Sequence, residues 1–98
     1  MDLSAFKAAL AATEPPFDIP GPLQALWHEA RGDWQRAHEL VQADKGNAAA
    51  RVHAYLHRRE GDLANANYWH GRAGTTMPGV TEQREWEMLV EALLKQGD

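Results

Sequence analysis

Apolar side chains recur along this chain at spacings of three and four residues, which place them on one face of a helix. Two successive segments have apolar positions at Leu23, Leu26, Trp27 and Ala30, then at Trp34, Ala37, Leu40 and Val41. Two later segments repeat the pattern at Val52, Tyr55 and Leu56, then at Leu63, Ala66, Trp69 and Ala73. The pattern predicts four consecutive helices in the middle of an all-α protein.

A further helix is predicted at each end of the chain. The first covers about residues 3–12 and leads into a proline-rich connection from which Phe17 and Ile19 can reach the core. The last covers about residues 81–96, with Thr81 as its N-cap. Its apolar face is Trp86, Leu89, Val90 and Leu93, and its acidic residues, expected to face solvent, are Glu82, Glu85, Glu87 and Glu91. We expect the two end helices to cap the stack, with the last one packing on the helix before it.

The same Gly-Asp turn separates the two helices of each middle pair, at Gly32-Asp33 and again 29 residues later at Gly61-Asp62. Glycine can adopt the left-handed conformation that ends a helix, and aspartate is a good N-cap for the next one. The repeat therefore predicts two helical hairpins, at about residues 22–44 and 51–74, within one domain spanning residues 1–98.

These turns, each followed by a small alanine at Ala37 and Ala66, resemble the tetratricopeptide repeat. The resemblance implies two tandem tetratricopeptide-like hairpins and a groove that binds a protein or peptide. The stretch from Val52 to Gly74 is also similar to a group of small bacterial and fungal proteins, a resemblance that implies no activity.

Composition narrows the possible functions. The chain has 98 residues and no cysteine, which excludes disulfides and thiolate zinc sites. Net charge is -4, and the only basic segment, residues 45–80, lies between acidic flanks, so we do not expect nucleic-acid binding. The N-terminus has neither a basic start nor a long apolar stretch, so we expect a cytoplasmic protein that does not enter a membrane.

The sequence offers little for catalysis. It has no glycine-rich phosphate loop, and its single serine, Ser4, is near one end. We therefore do not expect the protein to be an enzyme, and we expect no cofactor.

The histidines are the candidate metal ligands. His53 and His57 are one helical turn apart, and Glu60 follows on the same face, which makes a possible two-histidine, one-carboxylate set. Neighbouring Arg58 and Arg59 would oppose a divalent cation, so we expect structural or surface histidines instead. A capping role suits His28 and His57, because they occupy equivalent places one turn before Gly32 and Gly61.

A second constellation, Asn65, Tyr68, Trp69 and Arg72, shares one face of the fifth helix and has the polar and aromatic groups of a recognition surface, to which His57 and Arg58 before the turn can add polar contacts. The candidate binding residues are His57, Arg58, Asn65, Tyr68, Trp69 and Arg72. In the structural alternative, which we favour, Tyr68 and Trp69 pack against the last helix. Arg58 belongs to a charged run that we expect to be a solvated corner.

Three functions stay open. The first is a protein or peptide interaction module, which requires that the groove is not filled by the N-terminal helix, Phe17 or Ile19. The second is a small-molecule or metal site, possibly enzymatic, built from His28, His53, His57 and Asn65; it requires histidines that converge. The third is a structural subunit or homodimer.

Overall fold

The computed structural model describes residues 1–96, which are helical wherever they have regular secondary structure. A short 3-10 turn at Ala9–Ala11 follows the first helix. The helices are α1 (Leu3–Ala8), α2 (Gly21–Ala30), α3 (Trp34–Gln42), α4 (Asn47–Arg59), α5 (Leu63–Ala73) and α6 (Glu82–Gln96). The all-α prediction is confirmed.

The repeated glycine-aspartate turns end one helix and begin the next. Gly32 and Gly61 have φ angles of +88° and +85°, a region that glycine enters without strain. Each following aspartate accepts a hydrogen bond from a first-turn amide, Asp33 from Arg36 at 3.0 Å and Asp62 from Asn65 at 3.2 Å. As a result α2 packs on α3 and α4 packs on α5, as two hairpins.

The core lies between α2, α4 and α6, each of which packs against the other two. The N-terminal segment covers one side of this group. Phe6 is fully buried beside Trp86, and the Trp27 indole donates a 3.0 Å hydrogen bond to the carbonyl of Ala9. The N-terminal segment therefore packs against Trp27 of α2 and Trp86 of α6.

Several sequence predictions about the ends of the chain were wrong. The last helix, α6, packs against α1, α2 and α4 instead of serving chiefly as a lid on α5. Phe17 is 98% exposed and does not pin the proline-rich connection. Ala30 and Leu63, predicted on the apolar faces of middle helices, are also exposed.

The α6 helix is amphipathic as predicted, with one exception. Its four predicted apolar positions are buried, and Thr81 caps it by accepting a hydrogen bond from the Arg84 amide at 3.1 Å. Glu85, predicted to face solvent, is only 3% exposed, because Arg58 reaches across from α4 and pairs with it at 2.7 Å. Arg58 is thus part of a buried ion pair and not of a solvated corner.

Within residues 1–96, none of the helices has the length and apolar character needed to cross a lipid bilayer.

Candidate metal centre

Three of the five histidines come together where α3 packs against α4. His53 and His57 are one turn apart on α4, and His38 faces them from α3. One ring nitrogen from each of the three lies within 4.8 Å of the other two. The Nε2 atoms of His38 and His53 are 3.0 Å apart. Two nitrogens bound to one zinc ion at about 2.0–2.1 Å would lie roughly 3.3 Å apart, so the His38 and His53 nitrogens, which now share a hydrogen bond, are already near that spacing.

The third histidine is already oriented for a ligand. The Nδ1 atom of His57 is 2.6 Å from a carboxylate oxygen of Glu60. A carboxylate that accepts the Nδ1 proton of a histidine fixes the tautomer in which Nε2 carries a lone pair. Glu60 therefore supports His57 from behind, whereas the sequence had suggested it as a ligand.

Two tryptophans fix the other two rings. The His38 ring stacks on Trp34 with centroids 4.9 Å apart and an interplanar angle of 10°. The His53 ring stacks on Trp69 at 3.9 Å and 14°. Trp34 is itself held, because its indole nitrogen donates a 2.7 Å hydrogen bond to the carbonyl of Leu56. These contacts restrict the imidazole rings before any ligand arrives.

Burial disfavours the charged form of two of these histidines, His53 and His38. His53 is 4% exposed, and desolvation, aided by the proximity of His38 and His57, lowers its pKa to about 4. Burial also lowers the pKa of His38, with a smaller effect from His57. The Nδ1 atom of His53 is buried without a hydrogen-bond partner among the described residues. Neutral imidazole is the form that binds metals, so these shifts reduce competition by protons.

Arg58 and Arg59, whose positive charges were expected to oppose a metal ion, both form ion pairs with glutamates. Arg58 donates to the Glu85 carboxylate and to the carbonyl of Val80. Arg59 pairs with Glu29 at 2.9 Å and lies 3.6 Å from Glu82. Both guanidinium groups are thus paired with carboxylates, while the Glu60 carboxylate lies 2.6 Å from Nδ1 of His57.

A second group, His57, Glu60 and Asp62, also has ligand atoms within 4.8 Å of one another. The Asp62 carboxylate is committed to the N-terminus of α5, where it accepts from both the amide and the side chain of Asn65. The set His38, His53 and His57 is more buried, and a metal bound there would not disrupt the N-cap hydrogen bonds of α5.

The structure divides the residues that the sequence had grouped together. His28 lies on α2 with its ring edge-on to Trp27, outside the cluster. Asn65 is bound to Asp62, so the expected pocket of His28, His53, His57 and Asn65 does not form as a unit. The predicted capping role of His57 is replaced by its bond to Glu60.

Of the remaining candidates on α5, Tyr68 and Arg72 are exposed to solvent. Tyr68 is 55% exposed, and its hydroxyl accepts a 3.2 Å hydrogen bond from Arg72. The Arg72 guanidinium is 5.5 Å from the centre of the Trp69 ring. Trp69 packs on His53 and not on α6, so the favoured structural alternative was right that it packs inward and wrong about its partner.

Sequence reasoning missed His38. Its signal was present, because Trp34 and His38 are one turn apart on α3 just as His53 and His57 are on α4. Which faces of α3 and α4 meet is decided by tertiary packing, which a single sequence does not reveal.

No family model, curated protein or solved structure matches the chain. The resemblance to the tetratricopeptide repeat stays a prediction.

Proposed function

We propose that this protein binds a transition-metal ion, with the Nε2 atoms of His38, His53 and His57 as its protein ligands. The observation that carries the proposal is the convergence of three histidines from two helices on one point. It is supported by the ring stacking on Trp34 and Trp69, which pre-orients two of the ligands.

The donor set narrows the kind of metal. Three imidazoles without a thiolate suit zinc, copper(II) or nickel(II), whereas Ca²⁺ and Mg²⁺ prefer oxygen ligands. Three protein ligands leave at least one coordination position for water or an exogenous ligand. The Glu60 carboxylate behind His57 adds negative charge and raises the basicity of that ligand.

The metal would join the two hairpins. His38 belongs to the hairpin of α2 and α3, while His53 and His57 belong to that of α4 and α5. We regard these hairpins as tetratricopeptide-like, a relationship supported by the repeated turns at Gly32 and Gly61. In this proposal the repeat provides a scaffold that brings ligands from adjacent units together.

A protein or peptide partner is a second candidate, favoured by the exposed side of α5. Tyr68 and Arg72 present a phenol and a guanidinium to solvent, groups that are frequent at binding surfaces. Because the N-terminal segment packs against Trp27 of α2 and Trp86 of α6, a partner would bind the exposed surface of α5 instead. Loss of a co-purifying protein on Tyr68→Ala would support this role, and its retention in both Tyr68→Ala and Arg72→Ala would exclude the surface.

Competition with a chromogenic chelator tests the metal site. We expect purified protein, first stripped with a chelator, to bind one Zn²⁺ per chain. His38→Gln and His53→Gln should each weaken binding by about tenfold or more, and Glu60→Gln by roughly tenfold, because supporting carboxylates contribute 10- to 100-fold. His28→Gln is the matched control and should bind as the wild type does. Equal affinities for His53→Gln and His28→Gln would refute the proposal.

A further inference from the structure

A second polar site lies on a different side of the molecule, between α4, α6 and the loop after α5. It is a cavity of about 340 Å³, which falls at the small end of the range for ligand sites. Its polar lining includes Arg51, His70, Thr75, Thr76 and Glu85. None of these residues belongs to the histidine cluster.

Two buried side chains of this cavity, His70 and Glu85, do not hydrogen-bond to each other. His70 and Glu85 are 5% and 3% exposed, and the Nε2 atom of His70 is 3.7 Å from the nearer carboxylate oxygen of Glu85. That distance is too long for a hydrogen bond, and the Nε2 atom has no partner among the described residues. A buried polar atom without a partner is uncommon in folded proteins and indicates a place for a water or a ligand.

The rest of the cluster is held in place. Nδ1 of His70 is 2.8 Å from the hydroxyl of Thr75, and Arg58 holds the other carboxylate oxygen of Glu85 at 2.7 Å. This leaves one imidazole nitrogen and one carboxylate oxygen at the same cavity without a hydrogen bond to any part of residues 1–96, with a gap of 3.7 Å from one to the other. A hydroxyl or ammonium group of a ligand could donate to the oxygen and, as a hydroxyl, also accept from the nitrogen.

Arg51 supplies a positive charge at the same cavity. Its guanidinium takes part in none of the ion pairs described between residues 1 and 96. An arginine binds carboxylates well because its planar fork can donate two parallel hydrogen bonds. Pro78, Met88 and Leu89 form the apolar part of the lining, where a short aliphatic group would fit.

The geometry points to a binding site for a small α-hydroxy or α-amino acid. The ligand's carboxylate would pair with Arg51, and its hydroxyl or ammonium group would fill the gap between His70 and Glu85. A simple carboxylate lacks the second group and would leave the two buried atoms without a partner, which weakens its binding.

Side-chain NMR of His70 tests this inference directly. The probes are L-lactate, L-serine and propionate, which share a small carboxylate but differ in the second group. We expect saturable shifts of the His70 ring signals with L-lactate or L-serine, and binding weaker by about tenfold for propionate. Lactate alone would identify a hydroxy-acid site, and serine alone an amino-acid site; both results support the inference.

Variants separate this site from the metal site. Arg51→Gln should weaken binding of the better probe by about tenfold, because it removes a charged hydrogen-bond donor. Arg36→Gln, at an exposed arginine on α3, is the matched control and should bind normally, as should His53→Gln. Unmoved His70 signals with all three probes would show that the gap holds only water, and equal binding by Arg51→Gln and the wild type would also overturn the proposal.

Discussion

At the scale of single residues, His53 is the centre of the proposed metal site. It stacks on Trp69, approaches His38 through Nε2 and contacts His57 one turn away on its own helix. Its burial makes the charged imidazolium unfavourable, so the residue enters the physiological pH range already deprotonated. A ligand in this state does not have to lose a proton before it binds a metal.

The same burial predicts acid sensitivity of the metal-free protein. The pKa of His53 is lowered by burial to about 4, against 6.5 for an unburied histidine, so the unfolded chain binds more protons between these values. Stability is therefore full above about pH 6.5 and falls as the pH drops towards 4. The ionisable side chains whose charge acts on His53 are His38 and His57, and the lowered pKa of His38 acts in the same direction.

Urea unfolding of the chelator-treated protein at pH 7 and pH 5 measures this effect. We expect a lower free energy of unfolding at pH 5, and a smaller difference between the two pH values for His53→Gln. A difference in His53→Gln as large as that of the wild type would show that His53 does not contribute to it.

At the scale of elements, local chemistry explains where the helices begin and end. The repeated glycine and aspartate fixed both hairpin turns, and Thr81 fixed the start of α6. Such local signals could not predict that Glu85 is buried or that His38 lies beside His53 and His57. Both features depend on which helices pack together. Arg58 and Glu85 are 27 residues apart along the chain, and His38 and His53 are 15 residues apart.

Two glycines near α5 give a matched test of the turn. Gly61→Ala should destabilise the protein by about 1–2 kcal/mol, because alanine is strained at a φ of +85° although no atom obstructs its side chain. Gly71→Ala, within α5 and equally unobstructed, should stabilise it by about 0.5–1 kcal/mol through helix propensity. Thermal unfolding measures both, and a Gly61→Ala variant as stable as Gly71→Ala would contradict this account of the turn.

At the scale of the whole molecule, the packing of the helices supports both proposed sites. The mutual packing of α2, α4 and α6 anchors α4, which carries two of the proposed metal ligands and Arg51 of the second site. Amphipathic spacing predicted the all-α class and most of the buried faces from sequence. The placement of α1 and α6 over the core could not be predicted, since their apolar faces would suit several neighbours equally well.

X-ray absorption spectroscopy of the Zn²⁺-loaded protein tests the central claim most directly, because it reports the atoms bound to the metal. We expect imidazole scattering from three histidines at about 2.0–2.1 Å, with the remaining coordination completed by a light atom. His38→Gln should reduce the histidine contribution to two, while His28→Gln should leave the spectrum unchanged. A spectrum with fewer than three histidines in the wild type, or one that His38→Gln does not alter, would contradict the three-histidine site.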